Sequence, residues 1–336
     1  YSSKDGILFS KDGSTLINYP PALTGEYTIP DNITTVERFA FYNCQLSKIN
    51  IPENVTQLGS NAFKGCSITD VTIPESITTL PNGCFRECSS LTEINLPDSL
   101  TYIGEYAFYG CTGLKEITIP EGIEYISRYA FSFSTALEKV VLPKSLKSVE
   151  YRSFKECTSL KEIVMPENVG WISEGAFSNC SSLSSITLPA ALQVIEDEAF
   201  YGCYNIKDVY YLGTRDMFEN VTILEPVTNI WDWVTIHYLN YDPSKNVTPY
   251  PVEGGNIYYN EDGVITLCDD TVTSAAIPYE INGIKITTIA GEAFKDCSLV
   301  KTVTLPEGLT TIGGYAFNNC TALESINIPA SVSTID

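Results

Sequence analysis

The strongest constraint on this chain is a phrase that returns every 22 or 23 residues. An apolar residue before proline marks it, at Ile29-Pro30, Ile51-Pro52, Ile73-Pro74, Leu96-Pro97, Ile119-Pro120, Leu142-Pro143, Met165-Pro166 and Leu188-Pro189. Successive prolines stand 22, 22 and then five times 23 residues apart. A small residue before phenylalanine keeps the same period from Ala40-Phe41 to Ala199-Phe200, and returns at Ala293-Phe294 and Ala316-Phe317. Cysteine follows the phenylalanine by three residues at Cys44, Cys66, Cys88, Cys111, Cys157, Cys180, Cys203, Cys297 and Cys320. Ser134 alone breaks that column. A period held over eight units is the signature of a repeat array. One unit of this size cannot bury an apolar face, but a stack of copies can.

Within a unit, "LTEINLP" (91–97) alternates apolar and polar residues as a short strand does. Pro97 stops it, because proline cannot donate to a ladder. The stretch from there to Phe108 is too short and too broken by glycine for a long helix. Tight turns, a second short extended piece and single helical turns are expected instead. Parallel stacking sets equivalent residues about 4.8 Å apart, so the eight units make a slab roughly 40 Å long.

On these residues, "IPEGIEYISRYAFSFSTALEKVVLP" (119–143) and its sister segments resemble the BspA-type leucine-rich repeats over nearly the whole chain. The resemblance implies an α/β-type leucine-rich repeat solenoid, curved and right-handed, β-rich with little helix. Its parallel strands would line the concave face, with short 3-10 or irregular segments on the convex side. It also implies a secreted or surface-displayed bacterial or protist protein that acts in adhesion or interaction. It supplies no catalytic residues to carry over.

Eleven cysteines at these intervals fit neither a disulfide framework nor a CxxC zinc site. Parallel Cβ vectors in a stack stay about 4.8 Å apart, longer than the ~3.8 Å of a disulfide. The expectation is a ladder of reduced, buried thiols that pack as small apolar residues, with Ser134 as filling in the same column. Burial should raise their pKa values and make them unreactive. Cys84 takes the small slot before Phe85. Cys268 lies outside the column and is the thiol best placed for exposure, although burial remains the leading expectation for it.

The chain divides into five segments. Residues 1–26 lack the repeat, and "KDG" at 4–6 and 11–13 marks tight turns, which makes this an N-terminal β-hairpin cap. EF-hand and nonapeptide spacings are absent, so these turns do not point to calcium. The array runs over 27–208. Residues 209–240, with Trp231, Trp233 and the only histidine, His237, fit a C-terminal closing unit. Residues 241–255 are rich in Pro, Gly, Asn and Ser and fit a linker. Residues 256–336 fit a second cap hairpin with a short array that stops in mid-pattern, so a longer protein is expected.

With one histidine, Ser-His-Asp, Cys-His and HExxH arrangements are nearly ruled out, and no GxGxxG, P-loop or GxSxG occurs. No enzyme activity, cofactor or metal is expected. The formal net charge is -21, which repels phosphate backbones and anionic lipid. No apolar run reaches the length of a membrane span. Nucleic acid and membrane insertion are therefore not expected as partners, and the chain is expected to be a monomer. Asn-x-Ser/Thr occurs at Asn32, Asn54, Asn179, Asn220, Asn246 and Asn319. Asn179 and Asn319 precede core cysteines and are expected to be inaccessible.

Candidate contact residues come from the outward columns. The strand column Asn50, Thr72, Asn95, Thr118, Val141, Val164, Thr187 is mostly small and polar, apart from its two valines. The column before the second inward apolar residue carries Tyr102, Tyr125 and Trp171, and the column before Ala-Phe carries Tyr106 and Tyr129. The fifth unit is also irregular, with Phe133 beside Ser134. Tyr102, Tyr106, Tyr125, Tyr129, Phe133, Val141, Val164 and Trp171 are thus the candidate ligand contacts. Rings on neighbouring rungs either stack on one another and stabilise the ladder or form a patch that binds protein or sugar. The function expected is a non-catalytic extracellular or cell-surface binding protein that offers a curved acidic surface to an extracellular protein or glycan. The alternative is a structural spacer that displays another domain.

Overall fold

Proline and glycine cut each repeat into two very short strands and a turn-rich return. The structure, a computed structural model, describes residues 1–224, 230–238 and 247–336. It forms two compact units, one of Tyr1–Val209 and Val221–Thr235, the other of Tyr210–Asn220 and Ile236–Asp336.

In the first unit each repeat lays its two strands into two parallel columns. Strand Glu93–Asn95 pairs in register with Asp70–Thr72, setting Ile94 opposite Val71. Strand Ser148–Val149 pairs with Tyr125–Ile126 on one side and Trp171–Ile172 on the other. The series continues through Val194–Ile195 to Thr222–Ile223. Ile94 and Ile103 point inward and are buried, as period-two alternation requires. The third side is the phenylalanine loop. From Phe41 to Phe200 the rings stack face to face, with centroids 5.1 to 5.8 Å apart and planes within 17°. Backbone bonds run between these loops, for example from Phe108 N–H to Ala130 O at 2.8 Å.

Each strand column is broken at two junctions, and at one of these both columns break together. No ladder joins Glu93–Asn95 to Glu116–Thr118, or Tyr102–Ile103 to Tyr125–Ile126. There the Ser127 hydroxyl donates to the Ile103 carbonyl. At the next junction the backbone N–H of Glu150 donates to Ile126 O instead. The phenylalanine loops carry this junction, with Tyr106 N–H to Arg128 O at 3.2 Å and Gly110 N–H to Ser132 O at 2.8 Å.

At the N-terminus, Ser2–Lys4, Ile7–Phe9 and Thr15–Asn18 form an antiparallel meander. Asp5 and Gly6 both have positive φ (53° and 82°), the geometry of a two-residue hairpin turn that follows strand twist. Thr15–Asn18 then pairs in parallel with Thr35–Val36, so the meander covers the open edge of that column. Trp231 meets Phe200 edge-on at 6.4 Å beyond the last ring of the stack.

The second unit repeats the plan. Strands Thr248–Val252, Gly255–Tyr259 and Val264–Cys268 are antiparallel. Val264–Cys268 passes into a parallel column with Thr288–Ile289, Thr311–Ile312 and Thr334–Ile335. The expected linker is therefore a strand from Thr248 to Val252. It tolerates Pro249 and Pro251 because it is an edge strand, with a ladder partner on one side only. Residues 241–246 of that linker, with Asn246, lie outside the described residues, as do 225–229 and 239–240 of the expected closing unit. Among the described residues, helix is confined to Arg215–Glu219, capped by Thr214, and a 3-10 turn at Ile230–Asp232. The fold is thus a parallel-strand solenoid with almost no helix.

All eleven cysteines are free. Ten are buried, and Cys320 is half-buried. Their thiols do more than fill space. Cys88, Cys111, Cys157, Cys180 and Cys203 each donate to the carbonyl of the phenylalanine one rung back, at 3.0 to 3.2 Å. Cys268 is buried and heads the column of the second array, with Cys297 Sγ 3.6 Å from its carbonyl. Burial pushes the Cys111 thiol up to about 12. One expectation fails: Asn319 is exposed. It sits in a left-handed turn (φ 60°) that turns the side chain out toward Asp296.

Candidate functional site

The return loop of every repeat contains two left-handed residues, four apart. In the first unit these are Phe39, Asn61, Gly83, Tyr106, Tyr129, Arg152, Gly175 and Glu198, then Asn43, Gly65, Glu87, Gly110, Phe133, Glu156, Asn179 and Gly202. Their φ values lie between 51° and 78°, a region that favours glycine and asparagine. Tyr106, Tyr129 and Phe133 are thus bulky side chains on a strained backbone.

Those three rings have partners. Tyr106 and Tyr129 stack at 4.8 Å with planes 9° apart. Tyr129 meets the edge of Tyr151 at 5.3 Å, and Phe133 packs on Tyr109 at 5.4 Å. Arg86 lies over Tyr106 and Tyr109, and Arg128 and Arg152 lie over Tyr151. Burial, and then the neighbouring Tyr129, raise the Tyr106 phenol above its usual value. Three of the five arginines of the chain therefore belong to one aromatic stack that residue columns alone did not reveal. The signal available in the sequence was the Tyr106-x-x-Tyr109 spacing and the arginine directly before Tyr129.

Tyr102, Tyr125 and Trp171 behave differently. They stand on the second strand column, 36%, 46% and 41% exposed, and none makes a ring contact among the described residues. Tyr125 and Trp171 flank Ser148 on one continuous ladder. Tyr102 belongs to the preceding repeat, across the interrupted junction. Beside them Glu124 and Lys147 form an ion pair at 2.7 Å, and the Ser148 hydroxyl donates to Glu150 at 2.6 Å.

Val141 and Val164 are exposed on the first strand column, on strands that no ladder joins. Val141 borders an open groove of about 480 Å³ over the interrupted junction, lined also by Glu93, Asn95, Lys115, Glu116 and Thr118. The eight candidates therefore fall into three sets: a self-stacked loop cluster, an unstacked strand row and two valines on the other column. His237 belongs to the second unit, stacked on Tyr210 at 4.9 Å and 3.9 Å from Asp270.

Among the described residues no helix is long and apolar enough to cross a membrane. No protein of curated function matches the chain. A leucine rich cell surface protein from Faecalibacterium prausnitzii shares the fold at a TM-score of 0.52 and 24% identity, over 97% of this chain and 94% of that one. A leucine-rich repeat protein from Bacteroides ovatus aligns at a TM-score of 0.48 and 22% identity, over 98% of this chain and 92% of its own. The model of the BspA type leucine rich repeat region matches in six copies over residues 23–138, 126–228 and 271–336. These matches take in most of the phenylalanine and cysteine columns described above, and the chain belongs to the BspA-type leucine-rich repeat family.

Proposed function

We propose that this chain is a non-catalytic binding protein of the cell surface. It holds an extracellular protein or glycan on the exposed rings of Tyr102, Tyr125 and Trp171. The observation that carries this reading is that these rings lack ring partners, while Tyr106, Tyr129 and Phe133 are occupied by their own stack. Exposed aromatic side chains on a rigid support are the usual anchors of recognition. The description of the Faecalibacterium relative as a cell surface protein supports the location. A stiff spacer is the second reading, supported by the unbroken phenylalanine stack of the first unit.

The test is a binding screen of the whole chain on immobilised matrix proteins, mucins and glycans. A variant with Tyr102→Ala, Tyr125→Ala and Trp171→Ala, matched for melting temperature, runs beside it. We expect the wild type to bind and the variant to lose about tenfold or more in affinity. Equal binding by both places the site elsewhere, and binding by neither favours the spacer.

A further inference from the structure

We infer that the row Tyr125–Ser148–Trp171, with Tyr102 one repeat before it, is a platform for an extended, neutral β-1,4-linked glycan chain lying along the direction in which the repeats stack. This rests on the binding reading above and names the ligand class of the same site.

Spacing is the first reason. Tyr125 and Trp171 are two rungs apart in one ladder, about 10 Å at twice the strand spacing. Two residues of an extended β-1,4-linked pyranose chain cover a similar length. Successive sugars in such a chain are turned over, so the same ring face recurs at every second residue. The small Ser148 between the two rings leaves room for the sugar that falls between them.

Shape is the second reason. A protein partner needs a broad patch, about 800 Å² per side, with anchors grouped at its centre and a rim around them. Here the rings form a line one side chain wide. A line suits a chain-like ligand. The ladder also fixes the rungs before any ligand arrives, which lowers the ordering cost of binding.

Charge is the third reason. In the early repeats the residue before this column is threonine, and Thr56 and Thr101 donate to the carbonyls of Thr34 and Thr78 at 3.4 and 3.1 Å. Beside the aromatic rungs that position becomes Glu124, Lys147, Gly170 and Gln193. These supply carboxylate, ammonium and amide groups that bond hydroxyls. Glu124 and Lys147 are paired with each other, which leaves the Glu150 carboxylate beside Ser148 as the charge of the strip. An anionic polymer gains nothing there, and the chain's net charge of -21 repels it at longer range.

The test is calorimetry and tryptophan fluorescence on the whole chain with cellohexaose, mannohexaose and chitohexaose. Maltohexaose serves as the α-linked control and hyaluronan as the anionic one. We expect at least one β-1,4 hexasaccharide to bind and to shift the emission, with affinity unchanged between about 0.05 and 0.5 M salt because no charge is neutralised. Tyr125→Ala and Trp171→Ala should each weaken it about tenfold or more, and Trp171→Phe should keep most of it. The inference is overturned if no β-1,4 hexasaccharide binds, if the α-linked or anionic chain binds better, or if both alanine variants bind as the wild type does. A matrix protein lost with the same variants, with no hexasaccharide bound, overturns the glycan and leaves the proposed binding function standing.

Discussion

Ser134 does with a hydroxyl what the residues around it do with a thiol. Its Oγ donates to Phe108 O at 2.8 Å, while Cys111 and Cys157 on the flanking rungs donate to Phe85 and Phe131 at 3.1 and 3.2 Å. The column therefore asks for a small side chain that carries a donor, and mere filling is not enough. Ser134→Cys is expected to stay within about 0.5 kcal/mol of wild type, whereas Ser134→Ala should lose about 1 kcal/mol in urea unfolding. Equal midpoints for the two variants would show that the donor contributes nothing. Asp269 is a second residue whose surroundings make a measurable claim. It is fully buried, its Oδ2 accepts from the backbone and side-chain nitrogens of Asn256 at 2.7 and 3.1 Å, and its Oδ1 makes no hydrogen bond. Burial chiefly, with Asp270 adding to it and Asn256 opposing, pushes its pKa from the ordinary 3.8 up to about 6. The folded state then holds the proton more tightly than the unfolded chain. The stability it confers is complete below about pH 3.8 and is lost as pH rises to about 6, up to about 3 kcal/mol in all. Melting of the second unit should fall across that window, and Asp269→Asn should flatten the profile.

The element that repays study is the return loop. Its two left-handed positions are filled by glycine or asparagine in several repeats, but by Glu87, Glu156 and Glu198 in others. A side chain in that conformation costs roughly 1–2 kcal/mol, and glycine there costs roughly 0.5–1 kcal/mol of chain entropy. Glu198→Gly should therefore raise stability by about 0.5 kcal/mol in urea unfolding, and a loss would mean that Glu198 makes a contact worth more than the strain. Gly202→Ala should act the other way, since its Cβ would stand 2.1 Å from Asn179 Oδ1 at a φ of 78°. The stacked Tyr106 and Tyr129 sit at the same kind of position, and their mutual contact offsets the strain.

Across the whole molecule, 41 acidic residues face 20 basic ones. The ion pairs between rungs, such as Lys161–Glu138, Lys147–Glu124 and Lys48–Asp70, are half-exposed to exposed and contribute little each. Salt weakens them, but it also screens the larger excess of like charge. The excess should win, so the melting temperature should rise between about 0.02 and 0.3 M sodium chloride. A fall would mean that the rung-to-rung pairs outweigh the repulsion.

The period of proline, phenylalanine and cysteine was enough to specify a parallel-strand stack, because burying one repeat against the next is the same local problem solved again and again. The inward columns were readable for that reason, and Ile94, Phe108 and Cys111 lie buried where their spacing puts them. The outward columns were not. Whether a ring is covered depends on backbone conformation and on a partner 22 or 23 residues away. Tyr106 and Tyr102 look alike in sequence, yet a positive φ turns Tyr106 onto Tyr129 and beneath Arg86, while Tyr102 stays on a strand with an open face. The interrupted junction before Tyr125 was equally hidden, because Ser127 reads as any small polar residue until its hydroxyl takes the Ile103 carbonyl. Spacing along the chain told which residues share a rung; only the packed structure, through φ and contacts between rungs, told which of their rings are covered and which stay exposed.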